Sequence, residues 1–82
     1  MYYIVEEINV KTSTNPDRWS DSKSVICIKR DLWRIKKYFR KIWTNYKSTH
    51  AFDEFHVEGK CVEFYIGDVA SVRFYITDNV FI

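Results

Sequence analysis

Residues 29–47, KRDLWRIKKYFRKIWTNYK, are the part of this chain whose apolar residues return at a helical interval, and that interval limits what the rest can form. At about 100° per residue, Leu32, Ile35, Phe39, Ile42, Trp43 and Tyr46 fall within roughly a third of the circumference. An apolar stripe of this width has to be buried against another layer. Asp31 stands just ahead of the pattern, where a carboxylate accepts hydrogen bonds from the unpaired amides of a first turn. The spacing predicts one amphipathic helix over residues 31–47, ended by Ser48-Thr49-His50.

The flanking segments alternate in twos, so the second layer is a sheet. In residues 2–10, Tyr2, Ile4, Ile8 and Val10 share one face and Tyr3, Val5, Glu7 and Asn9 the other, with Glu6 a polar intrusion on the inner face. Residues 11–23, KTSTNPDRWSDSK, are polar and broken by Asn15-Pro16-Asp17, so a long loop is expected there. Val25-Ile26-Cys27-Ile28 reads as a short buried strand. Beyond the helix, Phe55 and Val57 lie on one strand and Val62, Phe64 and Ile66 on the next. Gly59-Lys60 suits a two-residue type II′ loop, which pairs Val57 with Val62 and Phe55 with Phe64. Slipping that register by one residue would mix the faces. An odd loop, Gly67-Asp68-Val69, keeps Val72, Phe74 and Ile76 on the same face. Asp78-Asn79 marks a bend before Val80-Phe81-Ile82, read as a short edge strand or a frayed end.

The order is therefore β-β-α-β-β-β. The expected fold class is α+β: a single small domain over residues 1–82, with a mainly antiparallel sheet and one amphipathic helix packed on one face. Eighty-two residues leave no room for a second core. Leu32 is the only leucine, while aromatics are 18% of the chain, so Phe, Tyr and Trp must fill the core beside Ile and Val. Cys27 and Cys61 sit in apolar runs without zinc-ligand spacing and read as free buried thiols. No segment is long and apolar enough to span a membrane, and Glu6 and Glu7 fall where a secretion signal would be apolar. A cytoplasmic protein without a membrane partner is expected, in the host cytoplasm if it is viral.

Charge gives the main functional lead. Residues 29–47 hold eight basic residues and one acid, Asp31, a net +7; the other residues hold five basic and ten acidic, a net −5. A concentrated positive field favours anionic partners. Around the helix, the outer arc reads Lys36, Lys47, Arg40, Trp33, Lys37, Lys41 and Arg34, which centres an indole on the positive face opposite the apolar stripe. Trp33 is then a candidate anchor, with Arg34, Lys36, Lys37, Arg40 and Lys41 as charge contacts. The ordinary alternative is a solvated basic surface with Trp33 covered by the 11–23 loop. Trp19, in that loop, is a second candidate anchor, unless it folds back over the core edge.

Chemistry is poorly supported. The derived registers place Glu63 between His56 and Arg73, Glu54 opposite Tyr65 and Cys61 near Tyr75. A histidine beside a carboxylate is the smallest acid–base unit, but charge ladders of this kind are routine on sheets. With no nucleophile at a strained turn and no Gly-rich phosphate loop, no catalytic residue, cofactor or metal is expected, and the protein is read as non-enzymatic.

In architecture alone, a compact strand–strand–helix–meander with a polarised surface resembles the small accessory proteins of phages and mobile elements, anti-CRISPR proteins among them. That resemblance implies an inhibitor of a host nucleic-acid-handling or defence complex. The expected partner is an acidic protein or nucleoprotein surface, with direct DNA or RNA binding by the same face as the alternative. A homodimer through Val80-Phe81-Ile82 as an edge strand is a further expectation.

Overall fold

The computed structural model describes residues 1–11 and 19–79. Its elements are β1 (Tyr2–Lys11), β2 (Trp19–Lys29), α1 (Leu32–Thr49), β3 (Glu54–Glu58), β4 (Cys61–Ile66) and β5 (Ala70–Thr77). Together they make one small α+β domain, with a five-stranded antiparallel sheet in the order β2-β1-β5-β4-β3. The chain leaves β2 at one edge and re-enters at β3 on the other. α1 must therefore cross the whole sheet, and its apolar stripe covers the centre of one face.

That face carries the core. Ile4, Val62, Phe64, Val72, Phe74 and Ile76 are buried against Ile35 and Phe39 of α1. The aromatics fill the space that leucine would take elsewhere. Ring centroids lie 4.7 Å apart for Tyr46 and Phe64, 5.4 Å for Tyr46 and Phe74, and 5.1 Å for Phe52 and Phe64. These tilted and edge-on packings suit the ring quadrupoles. Glu6, on the inner face, is half-buried. Burial raises the pKa of the Tyr46 phenol, and the charge of Glu6 adds to the rise.

The meander has the expected registers: Phe55 opposite Phe64, Val57 opposite Val62, Phe64 opposite Val72 and Val62 opposite Phe74. Gly59 has φ +55° and no described non-glycine residue has positive φ, the sign pattern of a type II′ turn. Gly67, also at φ +55°, opens the three-residue loop, where its amide donates to the Asp53 carboxylate.

The first hairpin departs from expectation. The 11–23 segment is not one long loop: β1 runs to Lys11 and β2 begins at Trp19. Edge strands need no apolar alternation, and Lys23 opposite Glu7 and Asp21 opposite Asn9 supply polar cross-strand pairs instead. The Val25–Ile28 run is likewise not a buried strand. It belongs to edge strand β2, with Ile26 and Ile28 exposed and Val25 and Cys27 half-buried. A bulge accompanies it, since Val5 faces Val25 and Ile4 faces Cys27, leaving Ile26 as the extra residue.

The helix starts at Leu32, as its pattern predicts, but the Asp31 side chain makes no cap hydrogen bond. It pairs with the Arg34 guanidinium at 3.4 Å instead. The expected turn at Asn15-Pro16-Asp17 and the proposed edge strand Val80-Phe81-Ile82, with the homodimer built on it, lie outside the described residues.

Candidate functional site

The outward arc of α1 follows from the inward one. Burying Ile35 and Phe39 turns Trp33, Lys36, Lys37, Arg40 and Lys41 to solvent, where all are exposed. Trp33 is 65% exposed, a large value for an indole. The Arg34 guanidinium lies over its ring, 5.2 Å from the centroid, and also approaches Asp31 at 3.4 Å.

Trp33, Lys36, Lys37, Arg40 and Lys41 line one open depression of about 810 Å³, which continues along Thr44, Asn45 and Ser48. A second depression of about 520 Å³ lies against Tyr2, Arg30, Asp31 and Leu32 and shares Trp33 and Lys36 with the first. The indole therefore stands as a ridge between two shallow hollows. Five of the candidate binding residues lie together on the larger one, with Arg34 behind the indole. Trp19 opens β2 opposite Lys11, and the structure describes its backbone only. Sequence reasoning did not single out Thr44, Asn45 and Ser48 for the site, although the same angular plot places Thr44 about 20° from Trp33. It also passed over Tyr38, whose ring has Lys29 Nζ at 4.6 Å and Lys41 Nζ at 5.7 Å from its centroid.

The uncovered face of the sheet treats charge in the opposite way. Lys23, Glu7, Arg73, Glu63 and His56 stand opposite one another in a single row across all five strands. Glu7 is only 7% exposed, and its carboxylate takes Arg73 Nη2 at 2.7 Å and Lys23 Nζ at 3.2 Å. On the helix only Arg34 is paired, with Asp31; among the described residues, Lys36, Lys37, Arg40 and Lys41 have no acidic partner.

His56 and Glu63 do face each other in register, yet they are not an acid–base pair. His56 Nε2 is 3.9 Å from Glu54 Oε2, while Glu63 accepts hydrogen bonds from the Tyr65 hydroxyl and the Cys61 thiol. The Tyr65 pKa is raised chiefly by its hydrogen bond to Glu63, and that of Cys61 chiefly by burial and then by the Glu63 charge. A thiol held protonated is a poor nucleophile. Among the described residues, no group of three His, Cys, Asp or Glu side chains is placed to hold a metal ion, and no helix is long and apolar enough to cross a membrane. Compared with family models, curated proteins and solved structures, the chain shows no match.

Proposed function

We propose that this protein is a small non-enzymatic interaction protein. It docks the outward face of α1 on an acidic surface of a host nucleic-acid-handling or defence complex and inhibits that complex by occupying the surface. The observation that carries this reading is the contrast between the two faces. On the sheet the buried Glu7 carboxylate is paired with both Lys23 and Arg73, while on the helix four cations with no acidic partner among the described residues surround an exposed indole. Like charges three and four residues apart destabilise a helix, so this arrangement costs α1 some stability. An anionic partner removes the repulsion.

The test is capture of the protein's partners from the cell in which it acts, with and without nuclease. The Arg40→Glu/Lys41→Glu variant is then compared with the parent. Association should slow strongly at low salt and less at high salt. Binding that is indifferent to the double reversal at either salt rejects the proposal.

A further inference from the structure

We infer that β2 is the seam of a two-fold homodimer, in which residues 19–25 of one protomer pair antiparallel with the same residues of its partner. The seam is an edge of the sheet, away from the outer face of α1, and it stands or falls independently of what that face binds.

Strand β2 closes one edge of the sheet, and among the described residues no strand pairs with its outer side. The phase of its free backbone groups follows from β1. The Lys11 amide donates to the Val69 carbonyl at 2.7 Å, on the β5 side of β1. Along an antiparallel strand, successive residues turn their backbone groups to alternate neighbours. Val10, Ile8 and Glu6 therefore bond to β2, and Ser20, Ser22 and Ser24 opposite them direct their backbone groups to β1. The amides and carbonyls of Trp19, Asp21, Lys23 and Val25 are left facing the open edge. Such a row is a template for another strand.

The order of residues decides which strand. Trp19-Ser20-Asp21-Ser22-Lys23-Ser24-Val25 is complementary to its own reversal about Ser22. Residues opposite each other must share a face, so at the axis a residue meets its own copy. An axis at Asp21 or at Lys23 sets like charge on like. An axis at Ser24 carries the pairing into the bulge at Ile26, beyond which the faces exchange. An axis at Ser22 sets each Asp21 opposite the partner's Lys23, Ser20 opposite the partner's Ser24, and position 19 opposite the partner's Val25. Asp21 and Lys23 then form the hydrogen-bonded pairs, so backbone and charge agree on one register. Asp21 is exposed and has no cation within ion-pair distance among the described residues, while Lys23 meets Glu7 at 3.2 Å. The row Arg73, Glu7, Lys23 thus continues in alternating sign to the partner's Asp21. The other edge does not suit a second copy: β3 reversed about His56 sets Glu54 against the partner's Glu58 on both sides of the axis.

An axis normal to the sheet leaves both α1 helices on the same side of one continuous sheet. The dimer then presents two basic arcs in one direction, and a target that engages both is held more tightly than by one.

The intact protein is followed by sedimentation equilibrium over a wide range of concentration, beside Asp21→Pro and Asp21→Lys. Its mass should rise with concentration from 10.0 kDa towards twice that value. Proline at position 21 removes an amide that β1 does not use, so the monomer should keep its fold, which circular dichroism checks. Asp21→Pro should stay monomeric throughout. Asp21→Lys turns both cross-strand pairs into like charges and should weaken association about ten-fold. A parent that stays monomeric overturns the inference, as does Asp21→Pro that folds and dimerises as readily as the parent. Association that Asp21→Lys leaves unchanged rejects the register about Ser22 and the inference with it. Should Asp21→Pro unfold, Asp21→Lys carries the test alone, since position 21 is exposed.

Discussion

Glu7 is the side chain on which the uncovered face depends. It comes from the middle of interior strand β1 and is buried on the face opposite α1. Arg73, Lys23 and the Asn9 amide, at 3.5 Å, surround its carboxylate. Arg73 Nε is already buried without a hydrogen-bond partner, so the guanidinium has little to fall back on if Glu7 is removed. Glu7→Ala should lower stability by roughly 2–3 kcal/mol, the scale of losing hydrogen bonds to a charged group, read as a fall in the urea midpoint. Tyr65 gives a pH test on the same face. Its folded pKa is raised, so the stability it contributes is complete below the ordinary tyrosine value of about 10 and is lost as pH rises through the folded value. Tyr65→Phe should therefore flatten the alkaline fall in denaturant midpoint relative to the parent. An unchanged alkaline slope would mean that Tyr65 contributes none of it.

In α1, stability and binding oppose one another. Lys37 has Arg34 three residues before it and Arg40 and Lys41 three and four residues after it, all of like charge. Lys37→Glu turns three repulsions into attractions and should stabilise the fold by about 1 kcal/mol, seen as a higher melting temperature, while weakening partner binding. A variant that is both less stable and a poorer binder would contradict this account of the helix. The meander offers a backbone test. A Cβ at Gly59 would meet no atom within 4 Å, so crowding plays no part there. The penalty of Gly59→Ala is the positive φ of +55° alone, roughly 1–2 kcal/mol. These strands were also the easiest to read in advance. Their turns are short and their faces differ, so local chemistry and apolar alternation agree on one register. β2 was hard to read because a polar edge strand and a polar loop have the same composition. Its pairing is visible only once β1 lies beside it.

At the scale of the whole molecule, the net charge of +2 conceals a dipolar protein with a basic helix and an acidic remainder. Added salt should therefore act in two directions, relieving the crowding of cations on α1 while screening its attraction for a partner. Thermal stability should rise and affinity should fall over the same salt titration; if both move the same way, the basic face is not the binding face. By itself the sequence determined the α+β class, the helix with its two arcs and the registers of β3, β4 and β5. Each of these follows from periodicity or turn geometry within a few residues. That Trp33 is exposed was decided by the tertiary structure. Only the tertiary structure decided that β1 lies inside the sheet, between β2 and β5, since its pairing with β5 joins residues near opposite ends of the chain. That choice places Glu7 between Lys23 and Arg73 and sends β2 to the edge. It also decided that Glu63 bonds Tyr65 in place of His56, a matter of side-chain reach between residues that register alone treats alike. Periodicity names the face a residue occupies, but which neighbour it touches there depends on how distant strands are brought together.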